Sequence, residues 1–173
     1  NELLGHLFGV PVDESWNDIS RGVGTLANEW LEMRLSYMEG LVNREINGVT
    51  VIRDVSQQFL GLSVNLTLDK LQVLSEFNRY RQPDNVIRYD TYMLSLGYQI
   101  GDFTPHITRS SFEQQVNPAG NDEKHHTTSV GVRWDFYTDM ALKLQYDEVV
   151  DEGVMVPVSG DAKAVSFGLD FIF

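Results

Sequence analysis

The most constraining feature of this sequence is a two-residue rhythm that runs to its last residue. Val165, Phe167, Leu169, Phe171 and Phe173 alternate with Ser166, Gly168, Asp170 and Ile172. In a strand, successive side chains point to opposite faces, so one face here is wholly apolar and the other mostly small or polar. Such a strand can pack on a water-soluble core, or it can face lipid. The same rhythm recurs upstream. Leu31, Met33, Leu35 and Tyr37 share a face, as do Leu60, Leu62, Val64, Leu66 and Leu68. Leu71, Val73, Ser75 and Phe77 follow, then Tyr92, Leu94, Leu96, Tyr98 and Ile100. Pro105 and Ile107 begin a less regular strand, with the proline placed near its start, where a missing donor is tolerated. Val130, Val132, Trp134 and Phe136, and then Leu142, Leu144 and Tyr146, complete the set.

These segments predict an all-β chain of about eight strands with no helix between them, joined as antiparallel hairpins. Short turns fall near 69–70, 101–102 and 138–139. Longer connections fall near 39–56, 81–86, 116–126 and 147–163. Residues 1–28 do not alternate: Gly9, Pro11, Gly22 and Gly24 interrupt them, and the reading there is a loop with a short helical segment. Residues 29–173 are the sheet. Strands of about 9–12 residues suit a tilted membrane crossing better than a soluble sandwich.

The opposite faces carry Gly, Ser, Thr, Asn and Gln beside the charges, a composition suited to an enclosed wet wall. The apolar faces end in aromatics, including Tyr37, Tyr92, Tyr98, Trp134 and Tyr146, and Tyr and Trp favour a bilayer interface. Charges are nearly absent at mid-strand on the apolar faces. Arg79 and Arg109 break this rule late in their strands, where a long side chain can snorkel.

The C-terminal pattern Val165, Phe167, Leu169, Phe171 and Phe173 resembles the closing strand of bacterial outer-membrane β-barrels. That resemblance implies an assembly signal read by the barrel-assembly machinery. Residues 130–146 (VGVRWDFYTDMALKLQY) resemble the C-terminal region of Gram-negative porins. The implied fold is an antiparallel up-and-down transmembrane β-barrel, with short periplasmic turns and long extracellular loops. It is either a closed eight-stranded barrel or the C-terminal half of a barrel of about sixteen strands.

The implied function is passive diffusion of small hydrophilic solutes through a water-filled pore in the outer membrane. Glu32, Arg34, Asn65, Glu76, Gln99, His106, Arg133, Asp135, Lys143, Gln145 and Asp170 are the pore-lining candidates. The implied surroundings are the lipid bilayer with its lipopolysaccharide and, for porins, a homo-oligomer. Two other readings compete: a small closed barrel with a structural or adhesive role in its loops, and a soluble ligand-binding barrel.

Other chemistry is sparse. A formal net charge of −12 and only 13 Lys and Arg exclude a nucleic-acid partner. With no cysteine, no disulfide or thiolate site exists. His125–His126, read as a polar loop beside Glu123 and Lys124, and the acidic run 147–152 are simplest as solvated segments rather than metal sites. His106 and Ser110 share a strand face but lack the third partner of a nucleophile. No cofactor and no enzymatic activity is expected.

Overall fold

The structure, a computed structural model, describes residues 11–82, 87–116, 122–153 and 160–171. It is one antiparallel meander of nine strands whose spatial order equals their chain order. The strands are β1 (Val12–Ala27), β2 (Leu31–Ile46), β3 (Val49–Leu68), β4 (Leu71–Gln82), β5 (Ile87–Tyr98), β6 (Phe103–Val116), β7 (Glu123–Tyr137), β8 (Met140–Asp151) and β9 (Ala162–Phe171). Each strand's main contacts are with its neighbours in the meander, and among the described residues no second layer packs on the sheet. Among these residues β1 and β9 do not pair, so the nine-stranded sheet has two open edges and differs from the closed eight-stranded barrel.

Three expectations change. The segment read as loop and short helix contains a full strand, β1. Its pattern was hidden by a bulge between Asn17 and Ser20, with Asp18 at φ 49°, which swaps the faces of everything after it. Before the bulge Trp16 lies opposite Val42; after it Gly22 lies opposite Tyr37 and Gly24 opposite Leu35. Glycines on the apolar-side positions erase the hydrophobic signal.

The expected loop at 39–56 is instead strand on both sides of a two-residue turn, Asn47–Gly48. Both residues have positive φ, 53° and 74°, which a primed hairpin turn requires and Asn-Gly supplies. Finally, His125, His126, Asp147, Glu148 and Asp151 lie on strands rather than in loops. The remaining centres of the longer connections, and the terminal Phe173, fall outside the described residues.

Pairing in register puts the apolar positions of neighbouring strands on one face. Leu35 lies opposite Leu62, Leu62 opposite Phe77, Phe77 opposite Tyr92, and Leu96 opposite Ile107. The row continues from Ile107 to Val130, Tyr146 and Val165. This face is the uncovered one. On β5, Tyr92, Leu94, Leu96 and Tyr98 are exposed while Gly97 between them is buried. Phe167 is 73% exposed and Val165 72%. Among the described residues only Val42 and Ala141 are buried hydrophobics, whereas Gln57, Gln82, Thr104 and Ser129 are buried polar ones.

That is the inverse of a soluble barrel, whose apolar face is its core. A contiguous apolar surface of this extent needs a covering phase. From Leu60 to Leu68 the apolar row runs about 26 Å along β3. At a tilt near 40° this is about 20 Å of membrane depth, close to the ~25 Å apolar band of outer-membrane barrels.

A charge placed on this face tests the assignment. Leu96→Arg should lower stability in lipid vesicles by about 2–4 kcal/mol. Ser95→Arg, one residue away on the other face, should cost little. Urea unfolding of vesicle-folded protein reads the difference, and equal effects would contradict the assignment.

Candidate functional site

The other face is polar and concave. Side chains on it reach across an intervening strand: His106 on β6 meets Gln145 on β8, with Nε2 3.3 Å from Oε1. Arg133 on β7 donates from Nη1 to Asp170 Oδ2 on β9 at 3.2 Å. This inner wall is the candidate site.

The sheet register lays the expected residues out in rows. Glu32 lies opposite Asn65, and Arg34 opposite Ser63, which lies opposite Glu76. Gly97, His106, Gly131 and Gln145 form a continuous row across β5 to β8. Arg133 lies opposite Lys143. Ten of the eleven candidates are thus on the wall. Gln99 is the exception: it sits in the turn between β5 and β6, where its backbone N–H donates to Lys70 O at 2.8 Å. Alternation predicted its side but not the end of the strand.

Two charge groupings differ in character. Near the short-turn rim, Asp170 receives Lys143 Nζ at 2.6 Å as well as Arg133, and Arg133 also donates to Asp135 through Nε at 2.8 Å. Two cations and two carboxylates are therefore held together on β7, β8 and β9. On β4, Glu76 accepts from Asn78 Nδ2 at 2.8 Å. Between the groupings lies a cavity of about 450 Å³ lined by Ser95, Thr104, Thr108, His106, Gln145, Arg133 and Lys143, with Leu74 and Met93 on its β4–β5 side. Hydroxyls face one another there, Thr108 Oγ1 donating to Ser95 Oγ at 2.7 Å.

His106 is held by space as well as by its bond to Gln145. A Cβ at Gly131 would stand 2.6 Å from the imidazole and 2.9 Å from the Leu144 carbonyl oxygen. Ser110 is four residues along the same strand, about 13 Å away, so these two groups are not brought together.

Toward the long-loop rim the wall carries residues that the sequence reading did not select. Tyr80, Tyr89, Phe112 and His125 lie on successive strands β4 to β7, with ring centroids 5.2, 5.8 and 5.0 Å apart. Glu14 on β1 accepts from Arg44 on β2 through Nε at 2.9 Å and Nη2 at 2.6 Å. His125 and Glu123 approach to 3.6 Å, and His126 and Glu152 to 3.4 Å. The available signal was a phase change. On β4 the apolar positions pass from odd (Leu71, Val73, Phe77) to even (Tyr80), and on β5 from even (Tyr92, Leu94) to odd (Tyr89, Ile87). Beyond the apolar band the outer face has no lipid to match, and large apolar groups move inward.

No protein-family model and no curated protein matches the chain. Among solved structures it is similar to OmpT of Vibrio cholerae, an outer-membrane protein folded in vitro, in its trimer form. That alignment has a TM-score of 0.58 and 12% identity, and covers 90% of this chain and 54% of the other. A second solved chain of that protein aligns with a TM-score of 0.49 and 11% identity, over 88% of this chain and 63% of its own. The chain thus spans under two thirds of the length of these neighbours. What it shares with the first is the fold, that of an outer-membrane β-barrel protein.

Gly131→Ala should push His106 off Gln145 and cost about 1–3 kcal/mol. Gly97→Ala, whose nearest neighbour would be 3.5 Å away, should fold as the parent does. Comparing the two unfolding midpoints checks that Gly131 is there for the ring.

Proposed function

We propose that the nine strands are part of the wall of an outer-membrane porin, through which small hydrophilic solutes diffuse passively. One observation carries the reading: a concave wall of hydroxyls, amides and ion pairs of both signs stands behind an uncovered apolar outer face. A pore needs such a wall, because inward side chains set its electrostatics. The two open edges call for further strands to close the barrel, and the partial span of the OmpT alignment fits a larger wall.

The lower wall holds Glu32, Glu76, Asp135, Asp147 and Asp170 against Arg34, Arg133 and Lys143. Carboxylates outnumber cations there, as they do in the whole chain, so the pore favours cations. No catalytic step is assigned. The outward row Val165, Phe167, Leu169 and Phe171 on an edge strand suits recognition by the barrel-assembly machinery. The neighbour's trimer form suggests extending oligomerisation to this chain, read as the mass of the unheated species.

Planar bilayer recording is the test. Protein whose wall has closed into a barrel should give discrete current steps, and a KCl gradient should give a reversal potential of cationic sign. Asp170→Asn, which removes the carboxylate shared by Arg133 and Lys143, should move that potential toward anions. Protein that inserts without current steps would overturn the pore reading and leave the barrel.

A further inference from the structure

The outward face does not stay apolar to the end of β4 and β5. Just past Phe77 and Tyr92, on the long-loop side, it carries Arg79, Arg81 and Arg88. These are three of the chain's nine arginines, on two adjacent strands of a protein with net charge −12. Their side is fixed by contact and by register. Arg79 stacks its guanidinium over the Phe77 ring at 5.3 Å and donates to Asp90 Oδ1 through Nε at 2.7 Å. Arg88 donates to the same carboxylate through Nε at 2.7 Å. Arg109 on β6 faces outward too, but it lies opposite Leu94, about 20 Å along the strand from Gln115, which faces Arg88, and it bonds the Thr128 hydroxyl.

Two features point to an anion that is not a side chain. One carboxylate serves both Arg79 and Arg88. Arg81, which is exposed, lies directly opposite Arg88, and like charges in that position repel. Glu113, opposite Asp90, leaves the patch with more guanidinium than carboxylate. Planar guanidinium forks suit phosphate oxygens, which they bind two at a time. The depth is also telling: interface aromatics mark where acyl chains end, and on β4 the arginines begin one outward position beyond Phe77.

We infer that this patch binds the phosphate headgroup of an outer-leaflet lipid, its acyl chains lying on Leu94, Leu96 and Ile107 below. The inference rests on the membrane reading above and adds to it a specific lipid site. In this site Asp90 fixes Arg79 and Arg88, while Arg81 is the exposed contact.

The test uses the full chain folded in a maltoside detergent, with diphosphoryl lipid A and the same lipid stripped of phosphate as probes. Native mass spectrometry counts retained lipid. The parent should hold lipid A and release the stripped form. The triple variant Arg79→Gln, Arg81→Gln, Arg88→Gln should lose roughly tenfold or more in lipid A affinity. The same three positions as lysine should lose less, which separates charge from a folding defect. Heat-modifiable migration reports folding of each variant. Equal retention of both lipids, or equal affinity in a folded glutamine variant, would overturn the lipid site and leave the membrane reading standing. A chain that neither folds in detergent nor enters vesicles would overturn both.

Discussion

Everything in this structure depends on an apolar sheet face with no protein over it. Nine strands align their leucines, valines and aromatics in register, and then no layer covers them. In water each such side chain would forgo about 1.5–3 kcal/mol of burial, a loss no single sheet could sustain. Lipid removes the conflict, because it solvates the outer face while the backbone groups pair within the sheet. The polar core follows from the same constraint. Gln57, Gln82, Thr104 and Ser129 are buried on the side away from lipid.

The thickness of the covering phase sets where the pattern stops. On β4 and β5 the apolar positions change sides between Phe77 and Tyr80 and between Tyr92 and Tyr89. Above that line the outer face takes Arg79, Asp90 and Arg88, and the inner face takes a run of stacked rings. Strands of up to 20 residues therefore have two regimes: one matched to lipid, and one where both faces meet water or the wall's own side chains. Charge placement obeys the same division. Within the band the ion pairs Arg133–Asp170 and Lys143–Asp170 point inward; beyond it β4 and β5 admit arginine on the outside, while Arg109 on β6 lies opposite Leu94 and bonds the Thr128 hydroxyl.

Much of this was legible in the residues. Alternation alone identified Leu60–Leu68 and Tyr92–Tyr98 as strands and set Glu32, Arg34, Glu76, His106, Arg133 and Lys143 on the face opposite the apolar row, as the register does. Period two fails wherever a residue is inserted or a face changes solvent. The bulge at Asn17–Ser20, followed by Gly22 and Gly24, concealed β1. Tyr80, Tyr89 and Phe112 were out of phase with the band and so were not selected. His125 and His126 read as loop because charge and histidine dominate there, yet they extend β7. Which residues meet across the wall, as His106 does with Gln145, depends on curvature, which no local pattern encodes.

The central claim is that β4 faces lipid with its odd residues up to Phe77 and with neither set beyond it. The chain has no cysteine, so single cysteines along residues 71–82 can each carry a fluorophore in vesicles of bromine-labelled lipid. Quenching by the lipid chains should be strong at 71, 73, 75 and 77, weak at 72, 74 and 76, and weak at both 79 and 80. Uniform quenching, the opposite phase, or alternation that continues unchanged to residue 82 would contradict the account.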